Sequence, residues 1–372
     1  MTKNLKRAWR YHTIKDLMIT DFNKLTRKSH TLPDHHRMHI FRRHFPDQVD
    51  DLVSAVCDGS YLPSYRERMT FEDETVDFIS YQDRLVQKAI LHIIRPSYDH
   101  IIPPTCYHRF GPSGVKKALA HLRGAMNTHV YTHIIRLDIK SYYASIDHRI
   151  LMDLLKQAFN DPRLINMFTG FITSYILTNK GFINPHKGIS IRSSLSTFFG
   201  AIYLKPLDIA FANMDLCYIR YMDDVLILCK SYSQYKRAKQ RVKTVLESLR
   251  LELSPKKTYM GLITDFHFLG CHIDVLPAID APLQPGKHLN YSQRLHPRSL
   301  VKALNKTLAT EALGSATLSV KRYLVLWSKW WSHATDTSPI DALKQLLAWS
   351  KSNLLSRYIC SILIVYANQG LC

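Results

Sequence analysis

Tyr218-Ile219-Arg220-Tyr221-Met222-Asp223-Asp224-Val225-Leu226-Ile227-Leu228 is the stretch whose reading decides the fold. Two β-rich runs, Tyr218–Tyr221 and Val225–Leu228, flank a short polar break. That pattern predicts an antiparallel hairpin with Asp223 and Asp224 at its turn. Paired Asp residues are ordinary turn formers, so the turn alone identifies no site. The flanking apolar strands, however, would set these carboxylates at the edge of a buried sheet.

Working outward, a second strand-like run, His133-Ile134-Ile135-Arg136-Leu137, ends on Asp138. Two strand-terminal acidic clusters suit metal-dependent phosphoryl transfer. There, two divalent ions about 3.5–4 Å apart stabilise both the attacking and the leaving oxygen. Mg2+ accepts such a set because it prefers oxygen ligands and retains waters. On the residues alone, this reading and a plain polar turn stand side by side.

The composition narrows the partners. Among 372 residues, 50 Lys and Arg face 30 Asp and Glu, a formal charge of +20. A basic surface of that size suits a polyanion, because each neutralised phosphate releases condensed counterions. A composition 46% hydrophobic and 11% aromatic supports a sizeable core. The seven Cys show no CxxC pairing, which fits a reducing cytoplasm rather than a disulfide framework. No apolar leader is read at the N-terminus. The apolar run Ile359–Tyr366 is too short for the ~20 residues of a membrane span and is expected to form a buried helix. A cytoplasmic protein without membrane contact is therefore expected.

Helical periodicity is expected near Ile14–Leu25 and over Gln82–Ile94, where Leu85, Ala89, Ile90, Ile93 and Ile94 recur before Pro96. A loop is expected at Gly111–Gly114. Helices follow over His148–Phe159, from about Ser194 to Phe211, and over the basic run Lys236–Leu249. A short strand pair is expected around Met260 and Phe268-Leu269-Gly270. Beyond Pro282–Lys287 the pattern reads as helical to the end. The expected division is a basic extension over 1–60, a central region over 61–280 and a helical C-terminal region over 287–372.

Several motifs occur together. Tyr221-Met222-Asp223-Asp224 resembles the YxDD box of reverse transcriptases. Asp138-Ile139-Lys140-Ser141-Tyr142-Tyr143 resembles the preceding metal-binding motif of bacterial, group II intron-like and retron-type enzymes. Gln82-Asp83-Arg84-Leu85-Val86-Gln87 is similar to their fingers helix. Gly188 through Asp208 resembles the helix before the YxDD hairpin. Leu253-Ser254-Pro255-Lys256-Lys257-Thr258 and Phe268-Leu269-Gly270 resemble the following motif and the primer grip. The motifs keep the family order over roughly residues 60–275.

The resemblance implies an α+β right-hand polymerase fold, with fingers, a ferredoxin-like palm and a helical thumb over 287–372. It implies an RNA-directed DNA polymerase that joins dNTPs to a primer 3′-hydroxyl on an RNA template, in a retroelement or an antiphage defence system. Asp138, Asp223 and Asp224 would hold Mg2+, or Mn2+ in its place, with the Ile139 carbonyl as a further ligand. Tyr143 would pack under the incoming sugar, the alternative being an ordinary core Tyr. Ile191 would line the nucleotide pocket. Lys257 would protonate pyrophosphate or contact nucleic acid. Phe268, Leu269 and Gly270 would grip the primer, itself DNA or RNA. A dedicated non-coding RNA or an accessory protein is compatible with this reading. So is a maturase-like RNA-binding scaffold with little synthesis.

The departures are local. Ser190-Ile191-Arg192 stands where intron-type relatives carry Pro-Gln-Gly, and Ser196-Thr197 where they carry Ser-Pro. The segment Phe71–Asp77 is acidic where relatives place triphosphate-binding cations, leaving Arg66, Arg68, Arg84, Arg109 or Arg192 as substitutes. The retron C-terminal signature and an endonuclease tail are not found. His30, His35, His36, His39 and His44 crowd a basic segment. His35 and His39 have the spacing of a zinc clamp, but no Cys or Glu joins them at ligand spacing, so RNA contact or a solvated face is expected instead. Tyr323, Trp327, Trp330 and Trp331 are expected on a helix, with Trp327 and Trp331 in its core and Lys321, Arg322 and Lys329 toward a duplex.

Overall fold

The computed structural model describes residues 9–27, 35–71, 74–191, 193–276, 290–295, 317–334 and 338–349, with isolated positions between 356 and 364. In chain order its strands are β1 (Arg66–Phe71), β2 (Glu74–Phe78), β3 (His133–Leu137), β4 (Ile176–Thr178), β5 (Gly181–Ile183), β6 (Cys217–Tyr221), β7 (Asp224–Cys229), β8 (Tyr259–Leu262), β9 (Phe266–Phe268), β10 (Cys271–Leu276) and β11 (Asn290–Leu295). The chain divides into two units. One comprises Met1–Arg109, Asp138–Met214 and Gln240–Lys257; the other comprises Phe110–Leu137, Asp215–Lys239 and Thr258–Cys372. The expected boundary at 280–287 lies outside the described residues.

In the first unit, helices Tyr11–Thr26, His35–Asp58 and Tyr81–Ile94 pack on one another. The last of these has a sequence-encoded start. The Ser80 hydroxyl accepts from the Asp83 amide and donates to the Asp83 carboxylate, satisfying an orphan donor of the first turn. Its apolar stripe, Leu85, Val86, Ala89, Ile90, Ile93 and Ile94, is buried throughout, as the 3.6-residue period requires. Strands β2, β1, β4 and β5 form a sheet in that order, with β1 antiparallel to β2 and parallel to β4.

The region expected as one helix from about Ser194 to Phe211 is two, Ser196–Tyr203 and Lys205–Phe211. Pro206 explains the break, since it has no N–H and its ring crowds the carbonyl four residues back.

In the second unit, β6, β7, β3 and β8 form an antiparallel sheet in that order. Ile134, Ile135, Ile219, Val225, Leu226, Ile227 and Leu228 are fully buried, so both faces of its centre are covered. The Gly114–Thr128 helix, which follows the expected loop, packs on β6. Two expectations are corrected. Tyr259–Leu262 and Phe266–Phe268 do not pair with each other: β8 joins β3, whereas β9 joins β10. Nor is the chain helical throughout after Lys287, because Asn290–Leu295 adds to β10 as an antiparallel strand. Local periodicity identifies a strand but not its partner. Helices Thr317–Ala334 and Pro339–Trp349 follow and pack together. Residues 359–360 and 362–364 are helical, with Ile359 and Ile362 buried. No described helix is long and apolar enough to cross a membrane.

Candidate active site

The expected hairpin forms, but Asp224 already belongs to its second strand rather than to the turn. Tyr221 pairs with Asp224, leaving Met222 and Asp223 as a two-residue turn. Met222 has a φ of 56°, at a loop position where a two-residue hairpin usually places glycine. A non-glycine residue there stores strain and must be held. The holding group is Arg220. Its side chain is fully buried, and its Nη1 donates to the Met222 carbonyl at 3.0 Å. The Asp223 side chain is half-buried and that of Asp224 exposed.

One strand over, Leu137 of β3 stands opposite Val225 of β7. Asp138 follows Leu137 in the chain, and Asp224 precedes Val225. In the first unit, Asp138 begins a segment fixed by its backbone. Its carbonyl accepts from the Ser254 amide at 2.8 Å, Ile139 bridges Leu253, and the Lys140 amide donates to the Glu252 carbonyl at 2.9 Å. Lys257 Nζ approaches the Asp138 carboxylate at 3.7 Å while remaining largely exposed. Coulomb attraction across that distance is modest in so wet a setting, roughly 1 kcal/mol. The Ile139 side chain is buried.

Tyr143 lies in the short helix Tyr142–Ser145, entered through Ser141 at a φ of 46°. The Tyr143 carbonyl accepts from Ile189 and the Ile146 carbonyl from Gly188. Its ring packs beside Gly200, where a Cβ would stand 3.4 Å from Tyr143 and 3.2 Å from Tyr142. The segment 183–191, with Arg68, Asp77, Ala144 and Ile176, lines an open cavity of about 980 Å³. Ile191 lines it and is 69% exposed. That cavity lies wholly within the first unit.

Of the candidate cations, Arg66 and Arg68 are already committed. The buried Asp77 carboxylate accepts from Arg68 Nε at 2.7 Å and Nη2 at 3.1 Å, and Arg66 Nη1 approaches it at 3.5 Å. Arg109 donates to the Ile102 carbonyl. Arg84 lies over the Tyr81 ring, 5.5 Å from its centroid. Arg192 and His30 lie outside the described residues. His36, His39 and His44 are exposed on their helix, beside Arg42 and Arg43. In the second unit, Leu269 and Gly270 form the turn between β9 and β10, with φ values of 48° and 83°, and Phe268 is buried. Trp331 is buried, whereas Trp327 is half-buried and Trp330 carries Lys116 over its ring at 5.5 Å. The side chains of Lys321 and Arg322 lie outside the described residues.

Sequence reasoning missed the residues that brace these segments. Gln87, from the Tyr81–Ile94 helix, accepts from the Ser193 hydroxyl at 3.0 Å and the Ser194 amide at 2.9 Å. Asp83, one turn earlier, accepts from Tyr61 at 2.7 Å. Burial pushes the Asp83 carboxyl above its ordinary range, with Ser80, Tyr61 and Ser64 opposing that shift. The apolar stripe at helical spacing is the signal that could have found both, since each is a polar residue on the buried side. Asp147 caps the His148–Ala158 helix and pairs with Arg250 at 2.8 Å. His148 is buried, with Nε2 2.8 Å from the Gly188 carbonyl, and burial lowers its pKa.

Comparison with known proteins shows the family. The family described as "Reverse transcriptase (RNA-dependent DNA polymerase)" matches residues 75–273, just over half of the chain, and the chain belongs to that family. Among curated proteins, the "Group II intron-encoded protein LtrA" of Lactococcus lactis subsp. cremoris is 22% identical over 173 residues, which is 44% of this chain and 28% of that protein. The same protein from strain MG1363 matches equally. The chain thus spans little more than a quarter of the length of these relatives.

Proposed function

We propose that the chain is an RNA-directed DNA polymerase, joining dNTPs to a primer 3′-hydroxyl on an RNA template. The observation that carries this reading is the chain position of three carboxylates. Asp223 lies in the β6–β7 turn, Asp224 begins β7, and Asp138 follows the strand registered against β7. This sits within a region that matches the reverse transcriptase family. Asp138, Asp223 and Asp224 would hold Mg2+, or Mn2+ in its place, with the Ile139 carbonyl as a further oxygen. The donor set fits, being hard carboxylate oxygens on incompletely buried side chains together with one carbonyl oxygen. When bound, the ions stabilise charge on the attacking and leaving oxygens.

The remaining roles belong to the chain itself. The hairpin presents its carboxylates at a fixed turn, and positioning of this kind supplies much of phosphoryl-transfer catalysis. Tyr143 would lie under the incoming sugar and oppose a 2′-hydroxyl, and Ile191 would shape the pocket beside it. Arg84 is a candidate for the triphosphate, since Arg66 and Arg68 are engaged by Asp77. Lys257 would stay near the phosphates. Phe268, Leu269 and Gly270 would guide the primer. The order of the β6, β7, β3 and β8 sheet supports a ferredoxin-like palm, and the helices after residue 317 support a thumb. The relatives are intron-encoded by name, which favours a retroelement over antiphage defence. A dedicated RNA or accessory protein fits the +20 charge.

The test is extension of a primed RNA template by purified protein, with Mg2+ and either dNTPs or rNTPs. Asp223→Asn is expected to abolish incorporation. Tyr143→Ala is expected to raise rNTP use relative to dNTP about tenfold or more, the scale on which steric pockets discriminate. A wild-type protein that binds RNA but adds no nucleotide would favour the scaffold reading. Incorporation unchanged by Asp223→Asn would overturn the site.

A further inference from the structure

We propose that the β9–β10 hairpin carries a binding site for a transition-metal ion, of the Zn2+ class, held by Asp265, His272 and Asp274. One ligand atom from each of these residues lies within 4.8 Å of the others. The register explains the convergence. His272 stands directly opposite His267, and Ile273 opposite Phe266, so Asp274 falls opposite Asp265 at the next step. Side chains two apart on a strand share a face. The face therefore presents His267 and Asp265 on one strand, His272 and Asp274 on the other. None of these residues belongs to the motifs assigned to catalysis.

The imidazole sets this apart from a cluster of acids. His272 Nε2 lies 2.9 Å from Asp274 Oδ1, and His272 Nδ1 lies 2.9 Å from His267 Nδ1. Two ring nitrogens at that separation need a hydrogen between them. That hydrogen lies on one ring or the other; where it lies on His272, Nε2 is left with a lone pair facing the Asp274 carboxylate, a position that a cation fills. This is the arrangement of a ligating histidine, whose second nitrogen donates to an outer partner that fixes its tautomer. In the competing tautomer pair the shared hydrogen lies on His267, and His272 Nε2–H donates to Asp274 with no ion between them.

The carboxylates are also prepared. Asp274 is 8% exposed. Asp265 Oδ1 accepts from the Val275 amide at 2.7 Å, which orients its group while leaving lone pairs for an ion. Two ligand atoms about 2.1 Å from one tetrahedral zinc stand about 3.4 Å apart, so small side-chain rotations suffice. A mixed imidazole and carboxylate set favours zinc over Mg2+, which takes oxygen ligands. Three protein ligands leave a fourth position for water. The ion would clasp β9 to β10 across the strained Leu269-Gly270 turn.

The test is direct binding to the full chain, stripped with chelator and kept in excess Mg2+ so that carboxylate-only sites are filled. Zn2+ is titrated by equilibrium dialysis, and Co2+ is used as a spectroscopic probe. The expected result is one equivalent of Zn2+, with intense d–d absorption from four-coordinate Co2+. Asp265→Asn, at an exposed position, and His272→Gln should each weaken binding at least about tenfold, and His267→Gln should weaken it less. Circular dichroism checks that each variant is folded. The proposal is overturned if the wild type takes up no Zn2+, leaving His272 Nε2–H to donate to Asp274. It is equally overturned if the affinity and Co2+ spectrum of folded Asp265→Asn and His272→Gln match those of the wild type. Neither readout depends on polymerase activity.

Discussion

Replacing Arg220 with methionine keeps the volume and removes the guanidinium that steadies the acidic turn. The structure sets the scale. One charged donor is lost from the Met222 carbonyl at 3.0 Å, and hydrogen bonds to charged groups contribute about 1.5–3 kcal/mol. Met222 holds a left-handed φ of 56°, which costs a side-chain-bearing residue about 1–2 kcal/mol. Without Arg220 the turn can shed that strain only by leaving its conformation. Met222→Gly removes the strain at its source, so Arg220→Met should cost about 1 kcal/mol less in the glycine background. Urea denaturation of the four proteins in the cycle, followed by tryptophan fluorescence and circular dichroism, measures the coupling. Primer extension should follow it, with the glycine partly restoring what the methionine loses. Costs that add within about 0.5 kcal/mol, the usual limit for independent sites, would show that Arg220 does not hold the turn.

Two further perturbations test the frame around the site. Gly59 has a φ of +80°, and a Cβ there would stand 2.6 Å from Arg163 Cα, an atom of the backbone. Gly59→Ala is therefore expected to cost at least about 2 kcal/mol, left-handed strain and the clash acting together; a urea-derived loss under about 1 kcal/mol would contradict that packing. His148 carries a pKa lowered chiefly by burial. The unfolded chain thus binds its proton first, near the ordinary value of about 6.5. The stability His148 contributes is present above that pH and is lost as pH falls toward the lower folded value. His148→Gln keeps a donor for the Gly188 carbonyl, and urea midpoints between about pH 7 and 5 should then vary less steeply than in the wild type. An unchanged slope would place the acid sensitivity elsewhere.

What could be read from sequence and what could not divides along the range of the interactions. The hairpin carrying Asp223 and Asp224 was legible because apolar and aromatic runs on both sides encode strands, and a break this short joins them as neighbours. Asp138 was legible for the same reason, as the residue ending an apolar strand. The Tyr81–Ile94 helix announced itself through its apolar period and the Pro96 that follows it. By contrast, Gln87 meets Ser193 and Ser194 across more than a hundred residues, a separation over which no local pattern carries information. The same holds for β8, whose strand character was visible but whose partner, β3, was not.

The Asp265, His272 and Asp274 cluster shows where this boundary falls within a single site. His272 and Asp274 are two apart on a strand, so their common face follows from chain geometry alone. Asp265 joins them only through the β9–β10 register, and that register is set by the Leu269-Gly270 turn. Two consecutive residues with positive φ fix a tight loop, and a one-residue slip would carry Asp265 and His267 to the opposite face. The motif that was read as a primer grip is thus also what aligns the cluster. Its glycine serves the turn, and the turn serves the ligands. A substitution that shifts the loop, such as Gly270→Val at a φ of 83°, should therefore disturb Zn2+ uptake while leaving Asp265, His272 and Asp274 untouched.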